Sequence, residues 1–287
     1  MLSLNNNYPF LMKYFTNGVE KGKLAHSILF YGSDLNAQYE IALEIARMLN
    51  CTGDGTENCQ CLNCNWIREN KHPAVMTISR FDNKAAGDEN KSNLNITINQ
   101  AREIRSSLLV TSEYHRVLIF CDKDKEGNIQ GLNQINFQDE AANALLKTFE
   151  EPPENTTFFF LTKDKSDLIS TIVSRAQCFY VPSINENDED YSLVKEVMEG
   201  YVELERNEVL DFNDKILNLV REFDSEQVFV QMQNYILSLL RANSDNLQLK
   251  IKFISDLQAI EKAKKENRLN INIQTIVETL SFTMILR

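Results

Sequence analysis

Asp139-Glu140-Ala141-Ala142-Asn143-Ala144-Leu145-Leu146-Lys147-Thr148-Phe149-Glu150-Glu151-Pro152-Pro153 is the stretch on which the fold turns. Asp139 suits an N-cap, because a carboxylate accepts from the free N–H groups of a first helical turn. Ala141, Ala144, Leu145 and Phe149 then recur at helical spacing and make a narrow apolar stripe. Pro152-Pro153 ends the helix, since proline lacks the N–H and disfavours the helical region for its predecessor. Apolar runs flank the helix, Val117–Cys121 and Phe158–Thr162, and each reads as a buried strand. Strand, helix, strand is the unit of an α/β sheet.

The same alternation extends outward in both directions. Upstream, Ser27–Tyr31 is an apolar run ending at Gly32, and Gln38–Asn50 puts Ile41, Ala42, Ile45, Ala46 and Leu49 on one helical face. Val75–Ser79 reads as a strand and Thr97–Val110 as a helix; downstream come a short helix near Leu168–Val173 and a strand at Cys178–Val181. Strands separated by helices predict a mostly parallel sheet with helices on both faces. The polar stretches Asn83–Asn95 and Lys123–Phe137 read as surface loops. After the acidic stretch Asn185–Asp190 helical periodicity takes over, at Leu193–Leu204, Phe212–Phe223, Glu226–Leu240, Leu247–Lys265 and Ile273–Leu286. A wholly helical second domain is predicted there.

The 287 residues suffice for two or three domains, and 43% of them are hydrophobic, enough for a sizeable core. No apolar run is long enough to span a membrane. The first residues, Met-Leu-Ser-Leu-Asn-Asn-Asn-Tyr, lack a basic region followed by an apolar one, so a cytoplasmic protein is expected. The net charge of −11 counts against autonomous DNA binding, which needs a basic surface to neutralise phosphates.

Four of the six cysteines lie close together: Cys51, then Cys59-Gln60-Cys61-Leu62-Asn63-Cys64. Four thiolates at short spacing suit tetrahedral zinc and leave no open position for catalysis, so the metal would be structural. Free thiols are the competing reading; a redox pair leaves Cys51 and Cys59 unexplained. The Cys59–Cys61 spacing is tighter than the common C-x-x-C. His72, before Pro73, reads as a structural loop histidine, and Cys121 and Cys178 read as buried thiols.

Gly32-Ser33-Asp34-Leu35-Asn36-Ala37-Gln38-Tyr39 stands where a phosphate-binding loop, G-x-x-x-x-G-K-[ST], would follow the first strand. Ala37 replaces the second glycine, Gln38 the lysine and Tyr39 the metal-binding hydroxyl, while Asp34 adds a negative charge. Productive ATP binding is not expected. The Val117 strand ends in Cys121-Asp122-Lys123-Asp124, where Asp122 matches one acid of a metal-binding pair but Lys123 stands beside it. Ser174-Arg175 follows the short helix; an arginine there is ordinarily solvated or complements the helix dipole.

Taken in order, these features resemble the delta-prime subunits of bacterial DNA polymerase III clamp loaders, members of the AAA+ group. The resemblance rests on Ala25-His26-Ser27, the degenerate phosphate loop, the four-cysteine insertion, His72-Pro73, the Ala141–Pro153 string, Leu161-Thr162 and Thr171-Ile172-Val173-Ser174-Arg175. It covers roughly residues 20–183 and implies an AAA+ type parallel sheet with flanking helices over residues 1–183. It further implies an acidic linker and reduced lid over 184–208 and a helical collar over 209–287. By resemblance Arg175 is an arginine finger acting in trans on a neighbour's ATP, with Ala176 where the family has cysteine. Thr162 takes the sensor position, and Cys51, Cys59, Cys61 and Cys64 hold zinc. The implied chain is a non-hydrolysing member of a hetero-oligomer with gamma/tau ATPase and delta subunits, meeting the sliding clamp and primed DNA through that complex. The rival readings are an active ATPase of the gamma/tau kind and a zinc-stabilised interaction module outside replication.

Overall fold

The apolar runs form strands because their β-branched and aromatic side chains fit a surface buried on both faces. The computed structural model describes residues 4–79, 96, 98–123, 128–132, 139–182, 191–243 and 246–286. The expected loop at 83–95, residues 124–127 and 133–137 of the second loop, and the acidic stretch 185–190 lie outside the described residues, as do the side chains of Asp139 and Ala141. The chain divides into two compact units, Met1–Val181 and Pro182–Arg287.

The first unit begins with α1 (Leu4–Asn7), α2 (Pro9–Glu20), β1 (Ser27–Tyr31), α3 (Leu35–Asn50), α4 (Leu62–Arg68), β2 (Val75–Ile78) and α5 (Ile98–Leu108). It continues with β3 (Arg116–Phe120), β4 (Asp122–Lys123), β5 (Ile129–Gln130), α6 (Asp139–Glu150), β6 (Thr156–Thr162), α7 (Ser170–Val173) and β7 (Gln177–Tyr180). Five strands make one parallel sheet in the order β2-β3-β6-β1-β7. This is the parallel sheet that the AAA+ resemblance implies. Part of the second expected loop is instead a short antiparallel ladder, β4 with β5.

Strand alternation sorts the core into two layers. Leu29, Leu118, Phe120, Phe158 and Phe160 face α5 and α6, where Phe149 meets Phe158 at 5.0 Å and Phe160 at 5.1 Å between ring centroids. Phe30 turns the other way, toward Phe15 of α2 at 5.6 Å. Pro9–Glu20 is unassigned by sequence pattern, yet Phe15 is wholly buried there. Arg116 is buried and caps the end of α5, donating through Nη1 to the carbonyls of Leu108 and Val110, both at 2.8 Å.

The second unit contains α8 (Lys195–Met198), α9 (Val209–Glu222), α10 (Ser225–Ala242), α11 (Leu247–Arg268) and α12 (Ile273–Ile285). The helix expected over 193–204 is not continuous. Gly200 adopts φ +74, a left-handed conformation that ends α8, and two short 3₁₀ turns follow. Tyr201 is buried beneath these turns and donates to Asp256 Oδ2 at 2.9 Å. Among the described residues no helix is long and apolar enough to cross a membrane.

Candidate nucleotide-loop, finger and metal sites

In open parallel sheets ligands sit beyond the carboxyl ends of the strands, where the strand order reverses. Here that place is the end of β1 beside β6. Gly32, Gln38 and Thr162 meet there. Gln38 is fully buried, and its Nε2 donates to the carbonyl of Gly32 at 2.9 Å and of Thr162 at 3.1 Å. Gly32 has φ +136, and a Cβ at that position would lie 2.1 Å from the Val181 carbonyl oxygen, so only glycine fits. Asp34 is the N-cap of α3, its carboxylate accepting from Ala37 N at 2.9 Å. A helix N-terminus with free N–H groups attracts an anion. In this chain the anion at that end is Asp34 itself.

The other expected nucleotide-site residues are also engaged. Thr162 Oγ1 donates at 3.0 Å to carbonyls, Leu132 and Asp164 both lying at that distance. Tyr39 OH shares a 2.9 Å hydrogen bond with Thr77 Oγ1, and the Lys123 ammonium lies 5.3 Å from the Tyr39 ring centroid. Asp122 is fully buried, 3.5 Å from Ser79 Oγ.

Arg175 sits just past α7, where Nη1 donates to the Thr171 carbonyl at 3.0 Å. Its Nε donates to Glu150 Oε1 at 2.6 Å, and Nη2 ion-pairs with the same oxygen. The Glu150 partner was not foreseen; it is the last residue of α6 and stands 25 residues away in sequence.

The four clustered cysteines converge. The sulfurs of Cys51, Cys59, Cys61 and Cys64 all lie within 4.8 Å of one another, despite the tight Cys59–Cys61 spacing. Cys51 and Cys59 sulfurs are 3.5 Å apart, too far for a disulfide, and all six cysteines are free. A zinc tetrahedron with arms of roughly 2.3 Å has edges near 3.8 Å, so this donor set can hold a metal ion. Local backbone explains the convergence. Cys51 is the C-cap of α3 and Cys61 the N-cap of α4, which places Cys64 in the first turn of α4. Backbone N–H groups of Cys64 and Thr52 hold the Cys61 thiol down at about 5, while burial pushes Cys64 up to about 12. A Cβ on Gly53 would lie 2.5 Å from Cys59 Sγ.

Two contacts around the cluster were invisible in the sequence pattern. Arg47 is 3% exposed and donates through Nη1 to Cys64 Sγ at 3.6 Å. Asn63 Nδ2 donates to the Asn50 carbonyl at 2.8 Å, and Asn50 in turn pairs with the backbone of His115, tying the cluster to the start of β3. His72 is not part of the cluster; Nδ1 accepts from Ala74 N at 3.2 Å and its ring packs on Tyr114.

A family model described as "DNA polymerase III, delta subunit" matches residues 8–185. The chain belongs to the DNA polymerase III delta-subunit family. Curated relatives carry the delta-prime name, as the sequence resemblance implies. DNA polymerase III subunit delta' of Bacillus subtilis is 29% identical over 176 residues, 61% of this chain and 47% of that protein. The delta' subunit of Haemophilus influenzae is 24% identical over 288 residues, covering 88% of this chain and 81% of that protein. A DNA polymerase III subunit gamma of Buchnera aphidicola is 27% identical over 179 residues, 62% of this chain and 44% of that protein. The match thus spans about half the length of the first of these relatives, 47%. Within the DNA polymerase III delta-subunit family, the matched region takes in the phosphate-loop remnant, the four cysteines and Arg175.

Proposed function

We propose that this chain is a delta-prime type clamp-loader subunit that helps ATP-driven loading of a sliding clamp onto primed DNA without hydrolysing ATP itself. The observation that carries the reading is the occupied phosphate loop. Asp34 caps α3 with its own carboxylate, and Gln38 is committed to two backbone carbonyls. A triphosphate at this loop meets like charge where it needs N–H donors, and no ammonium. Family membership supplies the context: the partners are gamma/tau ATPase and delta subunits.

In this reading Arg175 works in trans. Its ion pair with Glu150 is partly exposed, with side chains 34% and 44% accessible. Such pairs contribute only about 0–1 kcal/mol. A neighbour's γ-phosphate, carrying more charge and accepting a bidentate fork, can therefore take Arg175 from Glu150. The cysteine cluster holds structural zinc. Residues 209–287 serve as the oligomerisation collar and 184–208 as linker and reduced lid.

The test is reconstitution with gamma/tau, delta, clamp and primed DNA. The isolated chain is expected not to bind ATP, and Arg175→Ala is expected to assemble normally while lowering clamp-stimulated hydrolysis at one site by about 10³-fold or more. Assembly with full hydrolysis removes the finger role. Failure of the wild-type chain to join the complex removes the clamp-loader reading.

A further inference from the structure

Arg47 is a buried cation on α3, on the side of the helix away from the stripe of Ile41, Ala42, Ile45 and Ala46 and beside Glu44. Its position is costly unless something near it needs positive charge. Glu44 accounts for part of the guanidinium, accepting from Nε at 2.8 Å and from Nη2 at 2.6 Å. The rest is directed at the cysteine cluster. Nη1 donates to Cys64 Sγ at 3.6 Å, and Nη2 donates to the Gly55 carbonyl at 3.3 Å, within the loop between Cys51 and Cys59. One guanidinium thus grips a helix carboxylate, a sulfur ligand and the ligand-bearing loop. A lysine ammonium is a point charge and lacks the planar fork for all three.

We propose that Arg47 is the positioning residue of the four-cysteine metal site. This rests on the reading of the cluster as a metal centre. A divalent ion with four thiolates leaves two net negative charges on buried and partly buried sulfurs. Arg47, held by Glu44, donates to Cys64 and orients that sulfur, the role that outer partners of metal ligands commonly play. The pair with Glu44 keeps the guanidinium aimed at the sulfur and away from solvent.

The experiment uses the full chain, with cobalt(II) as a spectroscopic probe and a chromophoric chelator for zinc release. The wild type is expected to bind one equivalent of cobalt with the visible bands of a tetrathiolate site. Arg47→Met is expected to keep the band positions, lose about 10–100-fold in metal affinity and release zinc correspondingly faster. Arg47→Lys, which keeps charge without the fork, is expected to fall between them. Wild-type affinity in Arg47→Met, even with a lowered melting temperature of the metal-free protein, overturns the proposal and leaves the metal reading standing. Absence of a tetrathiolate spectrum in the wild type overturns both. Should Arg47→Met fail to fold, Arg47→Lys decides: zinc release about threefold faster or more supports the role, and release at the wild-type rate overturns it.

Discussion

Gln38 Nε2 donates to the Thr162 carbonyl at 3.1 Å, joining the first turn of α3 to the end of β6 across 124 residues of sequence. The same amide holds the Gly32 carbonyl, so one side chain closes the loop that follows β1. Gln38→Ala removes both donors from a fully buried place and leaves carbonyls short of partners. Its unfolding free energy is expected to fall by about 1–3 kcal/mol. Urea denaturation measures this, and an unchanged midpoint would show that the amide has no structural role.

The tolerance of the cysteine loop is set by Gly53. Alanine there brings a methyl to 2.5 Å from Cys59 Sγ, closer than contact allows. Gly53→Ala is expected to bind zinc at least about tenfold more weakly, the range found when groups around metal ligands are disturbed. Elemental analysis of protein dialysed against a chelator series would reveal it. Equal zinc retention in the two proteins would mean that the loop relaxes without cost.

Acid sensitivity has an identifiable contributor in His115. Burial, and then the charge of Arg116, hold its pKa below 6.5 in the folded chain, and its Nε2 lies 2.8 Å from Thr157 Oγ1. As pH falls through 6.5 the unfolded chain takes up this proton before the folded one does, so stability is full above that pH and declines below it. His72, also held low by burial, acts in the same direction. Between pH 7.5 and 5.5, His115→Gln is expected to lose less stability than the wild type. Parallel pH profiles for the two proteins would exclude the contribution.

In the helical unit, Tyr201→Phe is expected to cost about 1–3 kcal/mol, because Asp256 is 2% exposed and loses one of its donors. Lys252 remains at 3.0 Å from the carboxylate, so the charge stays paired. Thermal unfolding followed by circular dichroism reports the change. A melting temperature equal to the wild type's would show that the carboxylate does not need the tyrosine hydroxyl.

The sheet was legible because apolar runs of Val, Ile and Phe between helical stretches admit few arrangements, and the cysteine cluster because four sulfurs in one short segment are a rare pattern. What sequence periodicity missed is non-local or conformational. The Glu150–Arg175 pair, the Gln38 clamp and the Arg47–Cys64 contact each join residues on different elements, and nothing in local spacing encodes them. The break at Gly200 was missed because the flanking residues keep helical apolar spacing, while a single left-handed residue decides the outcome. The helix at Pro9–Glu20 was missed although Leu11, Met12 and Phe15 recur at helical spacing.

The arrangement of α3 has a further consequence. Its first turn is fastened by Asp34 and Gln38, and its last residue adjoins Cys51, the first of the clustered sulfurs. The rod between them, about 24 Å long at the usual helical rise, is anchored at its start by groups the chain carries from synthesis. At that end its placement is set by side chains of the polypeptide itself, a carboxylate and an amide four residues apart.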